Sequence, residues 1–163
     1  MLNCSRSIEL DATPEEVWAV IGRYMQAEQY CPLVVSVEAL TTGEDGVGSK
    51  RRNFFENGTS ITEKVIEWTP NRGQLIECSE FGSIPFRRLI AQIDIVPSHG
   101  KRTTLKWALD FQVKFGPLGW LLGQLVMKRA FGKIVMGNLD AIAERIAENR
   151  TRTDDPVGLD AAV

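Results

Sequence analysis

Residues 104–114, TLKWALDFQVK, alternate. Leu105, Trp107, Leu109, Phe111 and Val113 fall on one side; Thr104, Lys106, Ala108, Asp110, Gln112 and Lys114 fall on the other. Successive strand side chains point to opposite faces, so this strand has one dry face and one wet face. That is the pattern of an antiparallel sheet packed on a single side. Such a sheet needs a cover, and the rest of the chain has to supply it.

The cover lies just downstream, where the period turns helical between residues 118 and 148. Leu118, Leu122, Leu125, Phe131, Ile134, Val135, Leu139, Ile142 and Ile146 form an apolar stripe. Gly119, Gly123, Gly132 and Gly137 interrupt it, each at about 1 kcal/mol in a helix interior. The spacing predicts a break or kink before Lys133 and the firmest helix over 131–148. From Asn149 the chain is polar, carries Pro156 and Gly158, and has no apolar period. Residues 149–163 therefore read as a disordered tail after a domain spanning 1–148.

Upstream, residues 3–11 read as a first strand, with Ile8 and Leu10 on one face. DATPEEVWAVIG follows: Thr13 is an N-cap, Pro14 the first helical residue, Glu15 and Glu16 the first turn, and Gly22 the stop. A second short helix covers about 24–30 and ends before Pro32. Strands then read near 33–40, in SKRRNFFE, in TSITEKVIEW across an Asn57-Gly58 hairpin turn, in QLIECSEF and in FRRLIAQIDIV. Hairpin-length turns require antiparallel pairing. The fold class is α+β: a curved antiparallel sheet of about seven strands wrapped on a long C-terminal helix, with two short helices after the first strand.

Charge and chemistry narrow the function. Nineteen basic and 21 acidic residues leave a net charge of −2, which argues against nucleic acid as a partner. In Lys50-Arg51-Arg52 at most two side chains share a strand face, which weakens a basic patch. The three cysteines, Cys4, Cys31 and Cys78, have no metal-ligand spacing, and His99 is the only histidine; no metal, no cofactor and no histidine-based triad is expected. There is no signal-peptide pattern and no apolar run long enough to span a membrane, so the expected location is cytoplasmic, without stable membrane insertion. The apolar segment 115–126, FGPLGWLLGQLV, stands apart. Four readings are open for it: a gate over the helix-covered face, packing on the sheet rim, a homodimer contact, or a membrane-touching segment, with gate or rim favoured.

SIELDATPEEVWAVIG, GVGSKRRNFFENGTSITEKVIEWTP and NLDAIAERIAE, in this order and spacing, resemble the START-like, polyketide cyclase/dehydrase (SRPBCC) superfamily over about residues 3–148. The resemblance implies a helix-grip fold with a cavity between the sheet and the last helix. It does not imply a shared catalytic motif, because fold alone leaves function open.

Ile61 and Val65 share a face of their strand, so Glu63 points inward between them, and the resemblance implies the same. It also implies that Arg51, Asn53 and Phe55 face inward, along with Glu77 and Ser79, and with Leu89, Ala91 and Ile93. Trp107, Leu109 and Phe111 join them from the last strand, and Ile134 and Asn138 from the terminal helix. Trp18 reads as core, Phe111 more as core than as a stacking surface, and Tyr30 as a candidate for the entrance.

A buried arginine needs a partner, and its fork suits a carboxylate; Glu63 or Glu77 is the expected one. Apolar walls with a few polar anchors suit a small hydrophobic ligand: a lipid, an isoprenoid or a polyketide-like molecule. The alternative is a cyclase/aromatase- or dehydratase-type enzyme in which Glu63 gives acid–base help. A third reading is a non-enzymatic partner of another protein through the segment around Trp120.

Overall fold

The computed structural model describes residues 1–114, 116–117, 121 and 126–154. Seven strands form one antiparallel sheet: β1 (Leu2–Leu10), β2 (Val34–Ala39), β3 (Lys50–Phe55), β4 (Ser60–Thr69), β5 (Gly73–Ser79), β6 (Phe86–Pro97) and β7 (Thr103–Val113). Their spatial order is β1-β7-β6-β5-β4-β3-β2. From β2 to β7 each strand pairs with its neighbour in sequence, and β1 closes the far side beside β7. Helix α1 (Pro14–Ile21) and a short 3-10 helix (Tyr24–Gln29) connect the two edge strands, and α2 (Lys128–Asp154) is the long terminal helix. This is the α+β helix-grip architecture.

Local chemistry sets the ends of α1. The Glu16 N–H donates to Thr13 Oγ1 at 3.4 Å, and the Thr13 N–H donates to the Glu16 carboxylate at 2.8 Å. This reciprocal pair satisfies two otherwise orphan donors. At Gly22 an added Cβ would lie 2.7 Å from the Trp18 carbonyl oxygen and 2.9 Å from the Trp18 indole nitrogen. The helix can therefore stop against its own tryptophan only at a residue without a side chain. Trp18 in turn meets Trp68 of β4 edge-on, with ring centroids 4.7 Å apart.

Helix α2 buries Val135, Leu139, Ile142 and Ile146, a stripe of helical period. It leans mainly on β1, β7 and α1. Two features depart from the sequence reading. No break falls before Lys133 within the described helix, which runs unbroken from Lys128 through Gly132 and Gly137. Gly132 is buried where the Arg6 guanidinium of β1 crosses the helix, and a Cβ would sit 2.6 Å from Arg6 Nη2. Glycine here leaves room for that guanidinium to lie against the helix.

The helix also continues to Asp154, through the start of the expected tail. Arg150 ties this polar turn to α1. Its Nε donates to Glu16 at 2.7 Å and its Nη2 donates to the Asp11 carbonyl at 2.7 Å. The rest of the expected tail, most of the 115–126 segment including Trp120, and the stripe positions Leu118, Leu122 and Leu125 lie outside the described residues.

Candidate cavity site

Strand partners lie side by side, so the concave face reads as rows across the sheet. One row is Gln74, Ile93 and Trp107. The next is Val65, Ile76, Ala91 and Leu109, and after it Arg51, Glu63, Cys78, Leu89 and Phe111. Asn53 and Ile61 form the last. Rows are two residues apart, about 6.7 Å along the strands. Between this face and α2 lies a cavity of about 720 Å³.

Most of the residues singled out in the sequence line that cavity: Arg51, Asn53, Phe55, Glu63, Leu89, Ala91, Ile93, Trp107, Leu109, Ile134 and Asn138. Tyr30 lines it too, almost wholly buried. Two do not. Glu77 is exposed on the outer face, as is Ser79; the inward set on β5 is Gln74, Ile76 and Cys78. Both alternating sets on β5 mix polar and apolar residues, so alternation alone does not choose between them. Phe111 is fully buried behind the wall, edge-on to Phe131 at 4.9 Å and to Phe86 at 6.0 Å. It is core rather than lining. Sequence reasoning missed Gln74, Cys31, Cys78 and Phe131, all of which line the cavity. The periodic signal for Phe131 was visible, but it marked core and lining alike.

Arg51 is the organising charge, with a side chain only 3% exposed. Its Nε and Nη2 donate to Glu63 Oε2 at 2.9 and 2.6 Å. Nη1 donates to the Tyr24 carbonyl and, at 3.2 Å, to the Tyr30 hydroxyl. Its Cζ lies 4.0 Å from the centre of the Tyr24 ring, a cation–π contact. Burial opposes the charge, but the Glu63 carboxylate and the two tyrosines outweigh it and hold the guanidinium well above its ordinary pKa. Burial pushes Tyr30 up to about 12, against the pull of Arg51. It pushes Cys31 up to about 12 and raises Tyr24 and Cys78 as well. At neutral pH these phenols and thiols stay protonated, so the deep wall of the cavity presents one matched ion pair among neutral groups, with the exposed Glu56 carboxylate at the mouth.

Directly behind that pair, Arg52 faces outward. It reaches Glu80 at 3.0 Å and Glu38 at 3.4 Å, while Thr62, its partner across the strands, donates to Glu80. The Lys50-Arg51-Arg52 run is therefore divided between the two faces of the sheet.

Three buried polar atoms of the lining make no hydrogen bond with any described group: Asn53 Oδ1, Gln74 Oε1 and Trp107 Nε1. The cavity mouth carries Leu33 and Val35, both more than half exposed, together with Asn57, Thr59 and Ile84. His99 sits exposed in the turn between β6 and β7. Among the described residues no cluster of His, Cys, Asp and Glu could hold a metal ion, and no helix is long and apolar enough to cross a membrane.

A family model described as polyketide cyclase/dehydrase and lipid transport matches residues 1–147. No curated protein matches the sequence. Among solved structures, a START superfamily protein from Mycobacterium smegmatis superposes with a TM-score of 0.73 at 19% identity, over 90% of this chain and 97% of that one. A protein from Thermus thermophilus gives 0.74 at 19% identity, over 91% and 99%. Norcoclaurine synthase from Thalictrum flavum, in complex with dopamine and hydroxybenzaldehyde, gives 0.69 at 19% identity, over 90% and 87%. At these identities the likeness is one of fold alone.

Proposed function

Because the chain belongs to the polyketide cyclase/dehydrase and lipid transport family, we propose that it binds and carries a small, largely apolar molecule of lipid, isoprenoid or polyketide-like character. The observation that carries this reading is the 720 Å³ cavity, walled by Ile76, Leu89, Ala91, Leu109 and Ile134. Its size falls within the roughly 300–1,000 Å³ of small-molecule sites, and apolar walls with a few placed polar groups are what such sites need. Removing an apolar ligand from water supplies the driving force, at roughly 25 cal/mol per Å² buried.

Glu63 is the residue on which an acid–base role would fall. Its Oε2 already accepts two N–H bonds from Arg51. That engagement suits a fixed ion pair better than a carboxylate that must exchange protons during turnover, so carriage is favoured over cyclase or dehydratase chemistry.

Fluorescence titration with the uncharged dye Nile red tests the reading, alongside native mass spectrometry of protein extracted with organic solvent. The dye should bind with one-to-one stoichiometry. Ala91→Trp, which fills the middle of the cavity, should weaken it by at least about tenfold, or 1.4 kcal/mol, with an unchanged circular dichroism spectrum. No dye binding by the unsubstituted protein and no extractable molecule would remove the basis for a carrier.

A further inference from the structure

The end of the cavity beneath α1 carries two unmatched polar groups of opposite kind. Gln74 and Trp107 stand on β5 and β7, on either side of Ile93 in one row. Gln74 is 4% exposed and Trp107 7%. The Gln74 amide nitrogen donates to the Ile21 carbonyl at the end of α1, at 3.4 Å. That contact fixes the amide, because an oxygen there would face another oxygen. Gln74 Oε1 is thus left as a pure acceptor, while an indole N–H is a pure donor. Both atoms are buried without a partner among the described residues, and both residues belong to the cavity lining. Leaving such groups unmatched is unfavourable.

We propose that this end of the cavity is a hydroxyl subsite, and that the carried molecule is an uncharged alcohol or phenol with an apolar body, inserted hydroxyl first. The inference rests on the carrier reading and narrows its ligand. A hydroxyl oxygen accepts from Trp107 Nε1 while its proton goes to Gln74 Oε1. Neighbouring strands are about 4.8 Å apart, which puts the two Cα atoms about 10 Å from each other; both long side chains stand on the inward face of the sheet, one on each side of Ile93, and the hydroxyl enters by displacing their present packing.

Other functions leave a mismatch. A ketone or ether serves only the indole. An ammonium serves only the amide oxygen. A carboxylate would turn an anion toward that oxygen, and among the described lining residues the one cation, Arg51, already spends its fork on Glu63, Tyr24 and Tyr30. Fatty acids and other acidic lipids are therefore disfavoured by the same geometry that favours an alcohol.

The test is displacement of Nile red from the full chain at neutral pH by three matched probes: para-octylphenol, para-octylanisole and para-octylbenzoate. The phenol should bind at least about tenfold more tightly than the anisole, with the benzoate weakest. Gln74→Met should remove most of that preference, because only the phenol donates to the amide oxygen, whereas Trp107→Phe should weaken phenol and anisole together by about threefold to tenfold. Two variants on different strands keep the comparison open should one fail to fold, as judged by circular dichroism. Equal binding of phenol and anisole, a preference for the benzoate, a phenol preference that survives Gln74→Met, or unchanged affinity for both probes in Trp107→Phe would overturn the hydroxyl subsite and leave the carrier standing. Failure of the unsubstituted protein to bind Nile red would bring down the carrier reading and this inference with it.

Discussion

Substituting Glu63 with leucine strands a guanidinium inside the protein. At the observed 2.6 Å and an effective dielectric constant near 20, the attraction between Arg51 and Glu63 is about 6 kcal/mol. Not all of it is lost, because Arg51 keeps the Tyr24 carbonyl and the Tyr30 hydroxyl, and water in the cavity can approach where Glu63 stood, 18% exposed. Breaking a buried pair by removing one partner costs about 3–5 kcal/mol, and this site belongs at the lower end. Urea denaturation of Glu63→Leu should show a loss of about 3 kcal/mol with an unchanged m-value, and the melting temperature should fall by about 10 °C.

The double variant Arg51→Met, Glu63→Leu removes both charges and should return to within about 1 kcal/mol of the parent, since apolar replacements for a buried pair are near neutral. A single-variant loss under about 1 kcal/mol, or a double variant no better than the single, would refute the view that Arg51 is a buried charge held by this carboxylate.

Three further outcomes follow from the same coordinates. The hydrogen bond from Arg150, then that from the Thr13 backbone, hold Glu16 down from its ordinary 4.5 to about 2. A depressed carboxylate stabilises the fold above its unfolded pKa and loses that contribution as pH falls through the folded one. The melting penalty of Glu16→Gln should thus be full above pH 4.5 and fade toward pH 2; a penalty equal at pH 7 and pH 3 would contradict the clamp. At Gly73, φ is +147° and an added Cβ would lie 2.1 Å from the Ile93 carbonyl oxygen. Gly73→Ala should cost about 2–3 kcal/mol in urea denaturation, and a near-neutral result would mean the start of β5 is not pressed on β6. Burial holds the thiols of Cys31 and Cys78 protonated, so a disulfide reagent at pH 8 should modify them at least about a hundredfold more slowly in the folded protein than in urea; comparable rates would show that the cavity wall opens freely.

The parts legible in the sequence were those where one physical demand acted alone. β7 read clearly because one of its faces is wet and the other dry. The pairing of Arg51 was legible down to two carboxylates, Glu63 and Glu77, because a buried arginine must have one and few were at hand. β5 was not legible: Gln74 faces inward because the end of α1 offers it the Ile21 carbonyl, a partner more than fifty positions away in sequence. Leu75 is tolerated on the outer face, so the two faces look alike on paper. The end of the terminal helix was misjudged for a similar reason. Arg150 looks like part of a loose polar tail until Glu16 is brought beside it. The glycines of that helix suggest a kink only if the space that Arg6 occupies at Gly132 is unknown.

The two arginines at the centre of β3 act on opposite faces of the same strand pair. Arg51 stands across from Glu63 on the inside, and Arg52 stands across from Thr62 on the outside, within reach of Glu80 and Glu38. A slip of one residue would turn Arg51 to water and press Arg52 into the greasy interior, with neither carboxylate where it is needed; a slip of two would leave each arginine on its own side but facing the wrong neighbour. The β3–β4 hairpin therefore has a single alignment in which both ionic latches engage, so the charges select the register from both faces of the strand pair at once.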